Sequence, residues 1–410
     1  MVLFEQPATI PILPSLIVLL HCLISRKDFS TTVETVLKCA AGFYLVCIGG
    51  AVTGAVFSPI NHLTMASYGI SAGVLNTESF SALLLSSCGN ASIVVFIISF
   101  LVNLCTAKAT GKPFLFLTCH HLLFLSLLTF SLFRENTTLK LSAVVALSGI
   151  LTGIYAWITT LVSSFSMRLV RPGHPAALSN SANAAGLIAL LIGKVVPSHS
   201  NEKFGKEGSS QVSVFLVGSV TVFILYTLLY IMTGCFTAER VSFAVTQSIL
   251  FGASSSILML GIRMFLSPLI ALLWDLTHRV LPNAIAGLDA TAMIAYSPRA
   301  WNTGFITASF AGTLISVIFL LLRVSFVPLP GITSLYFAGG VAGVTGNASA
   351  GKKGAALSGF ITGIVVMLLC SSFMSSAGLH ITSGTAPGET GYSILGWITL
   401  RLCRIINALS

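Results

Sequence analysis

The chain has 410 residues, of which 55% are hydrophobic and only 8% are charged, and its mean hydropathy is +0.96. Soluble globular proteins carry about 25% charged residues, so this composition excludes a water-covered globular fold and indicates that lipid is the main solvent. The formal net charge of +10 does not predict nucleic-acid binding, because Lys and Arg are scattered singly between apolar runs and form no basic stripe.

Apolar runs along the chain predict an all-α polytopic membrane protein. A bilayer-spanning helix needs about 20 apolar residues, which leaves room for about ten spans and for no separate soluble catalytic domain. The first run is expected to be a retained span rather than a signal peptide, because Arg26 and Lys27 follow it and no small-residue cleavage site is evident. Basic residues after the first, third and fifth runs predict a cytoplasmic location there and an outer N-terminus. The predicted spans are 8–25, 35–57, 89–106, 114–133, 141–167, 211–235, 242–262, 302–326, 354–375 and 391–408.

Four stretches between the spans are apolar yet rich in Gly, Ser, Asn and Pro. Irregular backbone at membrane depth is tolerated only where it is buried in protein or lines a cavity, so these stretches predict re-entrant half-helices around a substrate path. They are 58–88, 172–193, 264–300 and 328–353. One hydrophilic loop, 198–210, divides the chain into a first transmembrane half, 1–197, and a second half, 211–410.

The two halves carry similar short patterns, which predict an internal repeat. The tripeptide at 58–60 (SPI) leads to 69–77 (GISAGVLNT), and the tripeptide at 267–269 (SPL) leads to 283–290 (NAIAGLDA), so the offset between the halves is nearly constant. Interrupted segments in corresponding positions of two halves are the best sequence pointer to a transporter binding site.

Carboxylates inside the membrane are functional candidates by default, because an unpaired charge there is costly. Glu78 and Asp289 fall beside corresponding positions of the two halves, and we expect both at one midplane site. Asp275 is instead expected to close a helix end or to form a local ion pair with His278 and Arg279.

His120 and His121 interrupt an otherwise apolar run, and their predicted role is hydrogen bonding to a polyhydroxylated substrate. Successive helical residues point to different faces, so at most one of the two is expected to face the site. No metal site is predicted, because no further ligand lies three or four residues away on the same helix face. The segment 346–353 (GNASAGKK) resembles a phosphate loop but lacks its hydroxyl residue, and is expected to be a glycine-rich turn between spans.

Several stretches, taken in order, resemble the ascorbate-type IIC family of the sugar phosphotransferase system, also called the SgaT or UlaA family. They lie at 69–77, 110–120, 261–265, 281–305 and 330–355, and the similarity runs over about 15–400. This resemblance implies a homodimer in the cell inner membrane, with core and scaffold domains built from inverted repeats. It also implies IIA and IIB partner proteins that carry the phosphate, so that the chain itself needs no cofactor.

The resemblance places Thr77, His120 and Asp289 against the substrate, with Asp289 orienting the hydroxyl that is phosphorylated and accepting its proton. Asn183 stands where the family has a histidine, and Glu78 stands where it has a tyrosine. Another family glutamine aligns with Phe124, and the chain ends at Ser410, so ten spans are expected rather than eleven. These departures leave open a neutral sugar or polyol instead of ascorbate.

The leading hypothesis is therefore a IIC carrier with Thr77, Glu78, His120, Asn183 and Asp289 around one substrate, and with His121 as a further candidate. One alternative is a secondary transporter that is driven by protons through Glu78 and Asp289. Another is a passive channel or a membrane scaffold that transports nothing.

Overall fold

A computed structural model describes residues 11–180, 182–196, 214–377 and 384–409, and the predicted hydrophilic loop lies outside this set. The helices are α1 (Ile12–Ile24), α2 (Phe29–Tyr68), α3 (Thr77–Ala109), α4 (Cys119–Asn136), α5 (Leu141–Val170), α6 (Asn183–Val195), α7 (Val214–Met232), α8 (Ala238–Val280), α9 (Pro298–Leu321), α10 (Ile332–Ala377) and α11 (Thr390–Leu409). The short strands are β1 (Ser71–Leu75), β2 (Phe114–Leu115), β3 (Ile285–Ala286), β4 (Phe326–Leu329) and β5 (Thr385–Ala386), and a 3₁₀ helix covers Ala290–Ala295.

The predicted all-α polytopic membrane fold is confirmed. Within the described residues, seven helices are long and apolar enough to cross a membrane, namely α2, α3, α5, α7, α8, α9 and α10. Helices α1 and α6 are apolar but shorter. The four Gly- and Ser-rich stretches that were predicted to interrupt the spans are themselves helical over much of their length. The non-helical segments between the helices are therefore shorter than expected.

Two predicted helix ends are wrong, and both lie near a proline. Helix α2 continues through Pro59 to Tyr68, and α8 continues through Pro268 to Val280. Proline removes one backbone hydrogen bond, and packed neighbours inside a membrane protein make that loss tolerable.

The actual breaks occur at glycines with left-handed backbone angles. Gly89 interrupts α3 at φ 62°, and Gly351 interrupts α10 at φ 68°. The segment 346–353 thus joins two helical segments, as predicted, because the second break lies inside it.

The two halves of the chain have the same order of elements, as the internal repeat predicts. Helices α2 and α8 begin at Phe29 and Ala238, and α4 and α10 begin at Cys119 and Ile332, so both pairs keep the offset of the sequence patterns. In the second half, α10, which is interrupted at Gly351, takes the place of α4 and α5 together. The equivalent helices α2 and α8 run antiparallel. Gly42 of α2 contacts Phe265, and Thr53, further along α2, hydrogen-bonds a residue that lies earlier in α8. The two repeats are therefore inverted.

The short strands exchange partners between the halves. Strand β1 pairs in parallel with β4 and β5, while β3 pairs in parallel with β2. A further bridge joins Leu288, just after β3, to Leu178 of the first half. The strand β1 of the first half thus pairs with strands of the second half, and β3 of the second half pairs with a strand of the first half. Two halves related by a two-fold axis would show this reciprocal pairing.

Small residues allow the long helices to approach closely. The α-carbons of Gly42 and Gly261 face the backbone of the opposite long helix, and Gly304 of α9 faces Gly339 and Gly343 of α10. Membrane helices associate through such small residues because lipid gives no hydrophobic driving force between them. Four helices, α1, α2, α7 and α8, pack largely beside one another, and the remaining helices form a second group.

Candidate functional site

Two helix N-termini from opposite halves define the candidate site. Asn76 follows β1 and caps α3, its side-chain oxygen accepting the Ser79 N–H at 2.8 Å. Asp289 caps the 3₁₀ helix of the other half, its carboxylate accepting the Ala290 N–H at 2.6 Å. The offset that relates the starts of α4 and α10 also relates Asn76 to Asp289, so the repeat places them in equivalent positions. Helix N-termini carry partial positive charge and exposed N–H groups, which favour polar and anionic ligands.

Glu78 lies in the first turn of α3, where its side chain is half-buried. One of its carboxylate oxygens is buried and has no hydrogen-bond partner among the described residues. Glu78 is near enough to Glu389 and Asp289 for their charges to interact. Three carboxylates therefore share one region of the protein, and Glu78 offers an acceptor to a ligand.

Glu389 is a site residue that the sequence analysis missed. Its side chain is 1% exposed and lies 3.5 Å from Nδ1 of His121. The residue directly precedes α11, as Ala182 directly precedes α6 in the first half. The offset between these two positions is smaller than that of the sequence patterns, and Ala182 is apolar, so the repeat gives no signal for a carboxylate there.

Both histidines face this region, so the expectation that at most one does so is wrong. Their ring centroids are 4.3 Å apart, and the possible ligand atoms of His120, His121 and Asp289 all lie within 4.8 Å of one another. Asp289 comes from the other half of the chain, so the spacing along the helix of the histidines gives no sign of this third group. Two imidazoles and a carboxylate can bind a divalent metal ion or hydrogen-bond the hydroxyls of a sugar.

Thr77 is 1% exposed, and its hydroxyl accepts the Gly388 N–H at 3.0 Å. This contact ties the start of α3 to the segment that carries Glu389. Asn183 is the first residue of α6, and its side chain lies outside the described residues.

The start of α3 and the 3₁₀ helix border a partly open cavity of about 530 Å³, while Asp289, His120 and His121 are not among its lining residues. Asn76 and Glu78 line it from the first half, and Thr291 and Thr333 line it from the second. The cavity also contacts α8 at Arg263, a residue that the sequence analysis noted in the family pattern but not as part of the site. Its size is in the usual range of small-molecule sites.

Asp275 lies apart from this arrangement, as predicted, but its partner differs from the one expected. Its carboxylate is 3.1 Å from Nε2 of His21 in α1, and His278 instead packs against the Trp274 ring. The partner of Asp275 is distant in the chain because α1 packs beside α8.

Inverted repeats with polar helix starts beside a cavity are an architecture typical of membrane transporters. The sequence model of the family "EIIC-GAT: PTS system sugar-specific permease component" matches residues 3–392. The chain therefore belongs to this family, which confirms the resemblance to phosphotransferase-system permeases and the multi-pass membrane location, consistent with the inner membrane.

One curated relative is the ascorbate-specific PTS system EIIC component of Mycoplasma pneumoniae. It is 29% identical over 125 residues, which are 29% of this chain and 19% of that protein. The matched region thus spans about a fifth of the relative's length.

Proposed function

We propose that the chain is the IIC carrier of a sugar phosphotransferase system that translocates ascorbate or a related sugar acid or polyol. A partner IIB protein, itself supplied with phosphate by a IIA protein, phosphorylates the sugar on the cytoplasmic side. The observation that carries this proposal is that α3 and the 3₁₀ helix, from equivalent positions of two inverted repeats, border one cavity, with Asp289 of the 3₁₀ cap beside His120 and His121. Family membership and the ascorbate-specific relative support the choice of substrate class.

In this proposal the clustered side chains hold a substrate rather than a metal ion. His120, His121 and Asp289 hydrogen-bond sugar hydroxyls, and Glu78 accepts a further hydroxyl with its buried oxygen. Asp289 orients the hydroxyl that receives the phosphoryl group and accepts its proton. Such a transfer depends mainly on positioning and charge stabilisation, which a fixed helix cap provides.

Thr77 and Asn183 complete the proposed site in different ways. The buried Thr77 acts by holding Gly388, and thereby Glu389, in place. Asn183 begins α6 and is proposed to supply an amide to the substrate. The carrier acts as a homodimer in which one helix group moves across the other.

Uptake by membrane vesicles tests the proposal. Vesicles that contain the chain should accumulate labelled ascorbate, a pentitol or a hexose only when phosphoenolpyruvate and the cytoplasmic phosphotransferase proteins are supplied. Asp289→Asn should abolish this uptake, whereas the matched control Asp275→Asn, in a carboxylate bonded to His21 away from the cavity, should retain it. Phosphoenolpyruvate-independent accumulation would refute phosphotransfer.

A proton-coupled secondary transporter is the second candidate, because Glu78 has a buried oxygen that no described residue bonds, close to two other carboxylates. A group in that setting gains or loses a proton readily when a ligand or a conformational change alters its surroundings. This candidate predicts uptake driven by a pH gradient without phosphoenolpyruvate, and loss of that coupling in Glu78→Gln. An ungated channel would instead give flux that does not saturate.

A further inference from the structure

Arg263 is a cation within a membrane helix and needs an explanation. It lies just past the middle of the 43 residues of α8, and it makes no ion pair with any described residue. Ionisable residues inside membrane helices are costly, and they commonly mark a ligand or ion path. Arg263 is exposed in the protein, so its guanidinium is accessible to such a ligand.

Two cavities meet at this residue. Arg263 lines the 530 Å³ cavity that contains Glu78, and it also lines a second cavity of about 490 Å³. Lys27 and Lys38 line the second cavity, and Glu34 neutralises Lys38 through an ion pair of 2.5 Å. Lys27 belongs to the basic pair that the positive-inside rule places in the cytoplasm. Arg263 therefore stands between the substrate cavity and a basic opening on the cytoplasmic side.

The main cavity is chemically polarised. Asn76 and Glu78 offer side-chain oxygens that suit hydroxyl donors, whereas Arg263 is the one Lys or Arg among the described residues that line it. A neutral polyol would satisfy the acceptors and leave the guanidinium unmatched. A polyhydroxylated anion would satisfy both, because the planar guanidinium binds carboxylate and phosphate oxygens in pairs.

We propose that Arg263 binds the anionic oxygen group of a polyhydroxylated ligand whose hydroxyls face Glu78. The inference rests on the proposed function and narrows its substrate class from sugar acids and polyols to anionic species. The anion belongs either to a sugar acid that enters or to the phosphorylated sugar that leaves through the basic opening.

Equilibrium binding to the purified full chain in detergent tests this inference. The probes are D-gluconate and ascorbate as sugar anions, xylitol as a neutral polyol, and inorganic phosphate as the anion alone. The wild type should prefer the anions, and Arg263→Ala should weaken their binding at least about tenfold, as expected for loss of a charged hydrogen bond. Arg263→Lys should restore part of that binding, and Arg279→Ala, an exposed arginine on the same helix, should change nothing.

The separate probes show whether the bound anion is a substrate or a product. They also show whether a negative result contradicts the proposed sugar function or the role of Arg263. Arg263-dependent binding of the sugar acids supports a substrate role, and Arg263-dependent binding of phosphate supports a product role. Phosphate binding without any sugar binding would refute the proposed sugar function and leave the anion site standing. Equal wild-type affinity for xylitol and the anions, or unchanged anion binding in Arg263→Ala, would refute the role of Arg263.

Discussion

Replacing Thr77 by valine removes the hydroxyl that accepts the backbone N–H of Gly388. The two side chains have nearly the same shape, so the change creates no cavity and isolates the hydrogen bond. Gly388 is buried, and a buried donor without a partner costs about 1–3 kcal/mol. Because about 1.4 kcal/mol is a factor of ten, we expect the Thr77→Val folding equilibrium to shift by roughly 5- to 150-fold.

Thermal unfolding in detergent and substrate binding would be measured on the same samples. Thr77→Val should unfold at a lower temperature and should bind substrate more weakly, because Glu389 follows the displaced Gly388. Thr77→Ser keeps the acceptor and should restore both properties. Thr303→Val is a suitable control, since the exposed Thr303 hydroxyl donates to the Arg299 carbonyl of its own helix.

Two results would refute this reasoning. If Thr77→Val unfolds like the wild type but fails to bind, Thr77 contacts the substrate directly and does not act through Gly388. If Thr77→Ser is as impaired as Thr77→Val, the threonine methyl group matters and the hydroxyl does not.

Three further predictions concern the packing and the metal question. Tyr392→Phe should lower the thermal stability by about 1–3 kcal/mol, because the buried phenol bonds both Ser81 and the Phe124 carbonyl; the more exposed bond in the Tyr68→Phe control should matter less. Gly351→Ala should also destabilise, by about 1–3 kcal/mol, because φ 68° with ψ −157° is accessible essentially to glycine alone; a wild-type melting temperature would contradict that backbone. Chelation with EDTA should leave sugar binding unchanged, and binding that returns only with zinc would show that the two histidines and Asp289 hold a metal ion.

Much of the fold could be predicted from local sequence. The apolar runs located the spans, and the similar tripeptides at 58–60 and 267–269 revealed the repeat that the helices follow. Helix ends were less predictable, because Pro59 and Pro268 read as breaks when taken alone. Whether a proline ends a helix depends on the neighbouring helices that pack around it.

The candidate site could be predicted only in part. Glu78 and Asp289 were found because a carboxylate inside an apolar segment is conspicuous. Glu389 and Arg263 were missed as site residues, because Glu389 lies just before the predicted span 391–408 and Arg263 directly follows the predicted span 242–262, so both were interpreted as charges at the ends of spans. The role of each depends on contacts with residues that are distant in the chain.

Sequence by itself determined that this is a membrane protein, that it crosses the membrane repeatedly and that it contains two similar halves. Those properties follow from hydropathy and periodicity, which are local sums over neighbouring residues. Only the tertiary structure decided that both histidines face Asp289, that Thr77 is buried against Gly388 and that Arg263 joins two cavities. The physical reason is that strands exchanged between inverted halves bring helix starts together across long chain separations, and no local pattern encodes those distances.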